Sequence, residues 1–180
     1  MPYQSEHQSK FKALQIHLDN IEQLRRSANG GNCVLFSYEP NDEKLYIEEA
    51  KNIYKDSAYF IDLSDILQKF IDKDGWNEFS NYYNDFKDTP HEVFKSDCGG
   101  DYFEMIITEI KNADVNNKIP MIIRTGALYG TGIDNQNIME NKCVMELKKP
   151  LVIFYPSIKK DNNVLFLGVK ESSKYRCQVI

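Results

Sequence analysis

Two short apolar runs near the carboxyl end, residues 151–154 and 164–167, constrain the fold more than any other stretch of this chain. Both are dense in Val, Leu, Ile and Phe and are bounded by turn residues, which is the pattern of buried strands. Tyr155-Pro156-Ser157 is expected to close the first run, because proline lacks the N–H that a ladder needs and holds its predecessor extended. The polar segment 158–163 then turns the chain.

The upstream sequence reads as cover for these strands. Phe11, Leu14, Leu18, Ile21 and Leu24 recur at spacings of three and four, which predicts one amphipathic helix over 9–27. Asn29-Gly30-Gly31-Asn32 ends it, since Gly and Asn tolerate the left-handed conformation of a helix terminus. Residues 33–36 form the first expected strand, and SYEP is the loop leaving it. A helix over about 42–54 follows, carrying Leu45, Ile47, Ala50 and Ile53 in a charged stretch, as a crossover would. A second strand over 58–63 leads through Asp62-Leu63-Ser64-Asp65 into a helix bearing Ile66, Leu67, Phe70 and Ile71. Residues 119–123 make a third strand. The alternation of strand and helix predicts an α/β fold, a three-layer, mostly parallel sheet flanked by helices. At 180 residues the chain fits a single domain over 1–180. A chain of that size buries roughly two-thirds of the surface exposed when unfolded.

Charge and cysteine usage narrow the function classes. The net charge of −5 argues against a dedicated nucleic-acid binder, so contact with DNA is expected only indirectly. Lys148, Lys149, Lys159, Lys160, Lys174 and Arg176 fall in the last third and read as a solvated surface. Cys33, Cys98, Cys143 and Cys177 are scattered, with no CxxC pair and no histidine at ligand spacing; reduced thiols are expected, with no metal and no cofactor. No apolar run has the roughly 18 residues that cross a bilayer, and the start has no signal-peptide core, so no membrane association and a cytoplasmic location are expected.

Three stretches carry candidate chemistry. Between 73 and 90, Trp76, Phe79, Tyr82, Tyr83 and Phe86 recur at helical spacing among Asn and Asp, a stripe that reads as core or interface rather than a base-stacking platform. Ser96-Asp97-Cys98-Gly99-Gly100-Asp101 reads as a loop and helix start, with Asp101 three residues before Glu104 as in a capping box; no base lies beside Cys98. Arg124-Thr125-Gly126-Ala127-Leu128-Tyr129-Gly130-Thr131-Gly132 leaves the carboxyl end of the third strand, the edge at which open α/β sheets bind ligands. Arg124, Thr125 and Gly126 are therefore candidate phosphate-binding residues of a nucleotide- or phosphate-binding enzyme, and a structural turn is the other reading of the same loop. Neither this loop nor SYEPNDEK has the GxxxxGK[ST] pattern, and no GxSxG or HExxH string is present, so no catalytic residue is assigned.

The closing segment PLVIFYPSIKKDNNVLFLG followed by KYRCQVI resembles the carboxyl-terminal signature of the BrxB family of BREX bacteriophage-exclusion systems. In that family a strand ending in Tyr-Pro precedes a hairpin-like Leu-Phe segment and a terminal Tyr-Arg strand. The matching residues are Tyr155, Pro156, Leu165, Phe166, Tyr175 and Arg176, and IIRTGALYG, with Gly126 and Tyr129, resembles the preceding segment. SYEP and FIDLSDIL are weaker likenesses, and Ser157 stands where the family often has Gly. The resemblance implies a fold similar to a degenerate P-loop NTPase, without phosphate-binding machinery. It also implies a non-catalytic component that binds a PglZ-like protein within a multiprotein defence assembly containing other BREX components.

Overall fold

β1 (Cys33–Tyr38) and β4 (Leu151–Lys160) lie side by side and parallel at the centre of the sheet, with Cys33 opposite Leu151 and Tyr38 opposite Pro156. In the computed structural model, which describes residues 2–95, 100–160 and 163–180 with side chains from residue 6 onward, every β1 residue is buried. β2 (Ala58–Asp62), β3 (Ile119–Ile123) and β7 (Cys177–Val179) complete a parallel path in the order β2-β3-β4-β1-β7. A strand covered on both faces must be apolar at successive positions, which is why these segments read as unbroken hydrophobic runs.

Alternate strand residues feed two separate cores. Cys33, Leu35, Ile122, Leu151 and Ile153 face a layer built from α4 (Leu63–Asp72), α6 (Tyr102–Val115), α7 (Asn135–Met139) and α8 (Lys142–Met145). Val34, Phe36, Met121, Val152 and Phe154 face α1 (Pro2–Asp19), α2 (Ile21–Ser27) and α3 (Glu43–Ile53). The result is the expected helix–sheet–helix sandwich. α5 (Trp76–Asp85) lies against α4 and the 3₁₀ turn Pro90–Phe94, and it contributes no buried residue. No helix among the described residues is long and apolar enough to cross a membrane.

Several boundaries depart from the sequence reading, each for a local reason. The expected helix over 9–27 is two helices: Asn20 leaves helical geometry and its side-chain oxygen accepts the Gln23 N–H at 3.3 Å, capping α2. The chain from Glu39 to Asp42 is a 3₁₀ turn beginning at Pro40, so α3 starts at Glu43; Tyr46 is buried on it, while Leu45 and Ile53 are exposed. Pro156 does not end β4. Pairing with β1 stops at Pro156 and antiparallel pairing with β5 (Asn163–Phe166) begins at Ser157, so the missing N–H falls where one partner gives way to the other. The run 164–167 therefore lies outside the parallel sheet, in a hairpin continued by β6 (Lys170–Glu171).

Tyr175 and Arg176 form the turn before β7 rather than a strand. Arg176 is not a solvated cation: it has a φ of 60° and its guanidinium donates to Met145 Sδ at 3.0 Å. Its backbone presses on Gly31, where a Cβ would lie 1.9 Å from the Arg176 carbonyl oxygen. At the start of α6, Asp101 is the N-cap and accepts the Glu104 N–H at 2.7 Å, while the Glu104 side chain accepts the N–H of Gly100, one residue before the cap, rather than that of Asp101 as a full capping box requires. The Ser96 to Gly99 part of that string, with Cys98, lies outside the described residues.

Candidate functional site

The carboxyl ends of the parallel strands bring together residues far apart in sequence. β2 ends at Asp62, β3 at Ile123, and the next residue, Arg124, adopts the left-handed conformation at φ 55°. That conformation is uncommon for a residue with a Cβ and reorients the chain sharply at the sheet edge. Arg124 Nε lies 3.4 Å from Asp62 Oδ2, and 52% of the arginine side chain is exposed. The other oxygen of Asp62 accepts the Ser64 N–H at 3.0 Å and so caps α4. Glu43, at the first turn of α3, completes the group: burial raises its carboxyl pKa, Arg124 lowers it and Asp62 raises it again.

Glu43 and Arg124 border a depression of about 510 Å³ whose walls also include Pro40, Lys44, Glu48 and Lys51. Its floor lies where a strand–loop–helix phosphate cradle would be built. The loop there has the opposite character. The Asp42 N–H donates to the Glu39 carbonyl at 2.8 Å, the Glu43 N–H donates to the Pro40 carbonyl, and Pro40 has none to offer. Glu39, Asp42 and Glu43 put negative charge along this loop, and Glu43 lines the depression.

The other residues read from the sequence as phosphate ligands are turned to structural use. Thr125 is buried and its hydroxyl donates to the Phe154 carbonyl at 2.8 Å, tying the loop after β3 to the middle of β4. Gly126 begins the next turn, its carbonyl accepting the Tyr129 N–H at 3.0 Å. Thr131 is also buried and its hydroxyl donates to the Leu128 carbonyl at 2.8 Å. Of the candidates, Arg124 alone extends into the depression.

Beyond the β4 end lies a second cleft, of about 330 Å³, between the 128–135 loop and the hairpin. Tyr155 stacks on Phe166 at 4.7 Å and shares a hydrogen bond with the Ser172 hydroxyl at 2.9 Å. Burial pushes the Tyr155 phenol up to about 12. Asp134 and Lys170 pair across the rim at 3.8 Å, and His91 packs over Gly132, where an added Cβ would lie 3.0 Å away. A third hollow, of about 540 Å³, runs between α1 and α3 and is walled by Phe11, Leu45, Ile53 and Tyr54. The sequence reading missed Asp62 and Glu43 as site neighbours: it placed Asp62 where the second strand leads into its helix and Glu43 within the preceding helix, and their meeting depends on strand order.

Several hydroxyl, amine and thiol groups away from this edge are tied into the packing. Ser37 and Ser157 are buried and share a hydroxyl–hydroxyl hydrogen bond at 2.8 Å. Lys10 donates to the Ser37 carbonyl and lies over the Phe36 and Tyr46 rings; burial lowers its pKa, with Lys159 adding to the shift. Burial raises the thiol pKa of Cys33 and Cys177, away from thiolate chemistry. Among the described residues no group of three His, Cys, Asp or Glu side chains is placed to hold a metal ion. No protein-family model, no curated protein and no solved structure matches the chain.

Proposed function

We propose that this chain is a non-catalytic, cytoplasmic assembly subunit of a BREX phage-exclusion system, a degenerate P-loop-like domain that binds a PglZ-like phosphatase-superfamily protein. The observation that carries the non-catalytic part is the loop leaving β1. The Asp42 and Glu43 amides are bonded within a 3₁₀ turn, Pro40 has no N–H and three carboxylates stand along the loop, which is unlike the run of free amides by which a phosphate loop holds an anion. Thr125 adds support, because its hydroxyl is committed to the Phe154 carbonyl. The P-loop likeness draws on β1 lying inside a parallel sheet beside β4 and running through that loop into a helix. The partner comes from the resemblance of Tyr155, Pro156, Leu165, Phe166, Tyr175 and Arg176 to the BrxB signature.

The test is co-purification of the tagged chain with the PglZ-like protein encoded beside it. A complex that co-elutes at micromolar concentration is expected, and separate elution would overturn the assembly reading. Calorimetry with ATP and GTP distinguishes the nucleotide-binding alternative, in which Arg124, Thr125 and Gly126 hold phosphate. No heat of binding at millimolar nucleotide is expected; saturable heat abolished by Arg124→Ala would replace the proposal with that alternative.

A further inference from the structure

The far half of the 124–132 loop, which the phosphate reading leaves unused, walls the cleft of about 330 Å³ beside the β5–β6 hairpin. The floor is apolar and buried, with Leu128 and Tyr155 each 3% exposed and Phe166 5%. Tyr155 and Phe166 stack at 4.7 Å and so fix each other's ring in place. Tyr129 stands on the wall 60% exposed, its N–H donating to the Gly126 carbonyl at 3.0 Å. Core packing therefore explains the floor but not the exposed ring. Tyr155 lies one residue before the point where β4 leaves its parallel pairing with β1, so the cleft opens at the carboxyl edge of the sheet, where parallel sheets take ligands. Its volume is at the small end of small-molecule sites, enough for one ring and a short tail.

The charge on the walls selects the occupant. His91, Asp134, Lys170 and Glu171 line the cleft, and three of them already have partners. His91 Nε2 lies 3.0 Å from Glu92 Oε1, and Lys170 Nζ lies 3.8 Å from Asp134 Oδ2. The other oxygen of Asp134 accepts the Asn137 N–H at 3.1 Å. Glu171 has no ion pair and no side-chain hydrogen bond among the described residues, so the lining carries one uncompensated negative charge. The Asp134 charge also reaches the floor, where it opposes ionisation of the Tyr155 phenol. A phosphate or carboxylate meets this lining as repulsion. An ammonium is attracted to Glu171 and to the face of an exposed ring such as Tyr129, while an aromatic body loses water on the apolar floor.

We infer that the cleft between the 128–135 loop and the β5–β6 hairpin is a binding site for a small arylalkyl amine, with its single ring on Leu128, Tyr155 and Phe166, its ammonium at Glu171 and Tyr129 on the wall. The site stands apart from the assembly reading, and co-purification with a partner does not bear on it.

The probes are phenethylammonium, phenethyl alcohol, phenylacetate and butylammonium, each titrated calorimetrically into the full chain in phosphate buffer near neutral pH. Phenethylammonium is expected to bind saturably, with the alcohol weaker by about fivefold for want of the charge and butylammonium weaker by about tenfold for want of the ring. Phenylacetate, of the same shape and opposite charge, should give no heat of binding. Glu171 and Tyr129 are both exposed, so Glu171→Gln and Tyr129→Ala should leave the urea midpoint in place. Glu171→Gln should weaken phenethylammonium about fivefold, to the level of the alcohol, and leave the alcohol itself unchanged. Tyr129→Ala should weaken phenethylammonium about threefold. No saturable heat from phenethylammonium, or phenylacetate or butylammonium binding as tightly, would overturn the inference. So would a Glu171→Gln chain that still prefers the ammonium to the alcohol, or a Tyr129→Ala chain with wild-type affinity.

Discussion

Thr125 shows how one hydroxyl decides between two readings of a loop. From sequence, a threonine just past a strand end reads as part of a structural turn or as a phosphate ligand. In the fold its side chain reaches the Phe154 carbonyl, an acceptor 29 residues away that no local pattern reveals. Thr125→Val keeps the shape and leaves that buried carbonyl short of a donor, so it should cost about 1–3 kcal/mol of unfolding free energy by urea denaturation. Gly31 is a sharper case. The turn Asn29-Gly30-Gly31 was legible as a turn, and Asn29 and Gly30 do take positive φ, but Gly31 is needed for the space that the Arg176 backbone occupies. Gly31→Ala must push that backbone away, and we expect a loss of about 3 kcal/mol; a loss below about 0.5 kcal/mol would mean that the close approach is not required.

At the scale of elements, a strand buried on both faces is the easiest thing to read, and β1, β2, β3 and the first half of β4 were legible for that reason. Their side chains alternate between two cores, so successive positions are apolar until the strand ends, where Ser37 in β1 and Asp62 in β2 are polar. Phe154 sits at the middle of β4 with its ring stacked 4.8 Å from Phe36 on β1, fully buried beneath α1 and α3. Phe154→Ala should therefore cost about 3–5 kcal/mol, with an exposed-site effect below about 0.5 kcal/mol refuting the central placement. What the period could not show was where one pairing partner replaces another. Beyond Pro156 the β4 chain stays extended but its neighbour becomes β5, and the apolar run 164–167 looks the same in either kind of sheet. The helix break at Asn20 was hidden for a similar reason: the apolar spacing continues across it, because α1 and α2 cover the same core, and only the capping side chain marks the end. Leu45 and Ile53 belong to the apolar set that the sequence shows on this helix, yet the side of α3 that meets the sheet carries Tyr46, Ile47 and Ala50, and Leu45 and Ile53 are exposed.

For the whole molecule, layer type followed from the order of elements, but the site did not, because Arg124, Asp62 and Glu43 meet only once β2 and β3 are neighbours and α3 crosses near their ends. The same sandwich sets how stability responds to pH. Burial raises the Cys177 thiol from 9.0 to about 12, with Lys174 pulling it back, and burial raises the Tyr155 and Tyr54 phenols from 10.0 to about 12. Burial also raises Cys33. In the unfolded chain these groups release their protons at the ordinary values, whereas the folded chain holds them. Above the unfolded values the native state therefore binds more protons, and stability must fall as pH rises. Their contribution is fully present below the unfolded values and is lost progressively as pH climbs toward the folded ones. Urea midpoints should be level between about pH 7 and 8, then decline from about pH 9 to 10.5. Cys177→Ala should flatten the first part of that decline, because it removes one buried thiol from the linkage while Cys33 and the tyrosines remain. A midpoint unchanged to about pH 10.5 would show that these groups reach water in the native state, which the two closed cores do not allow.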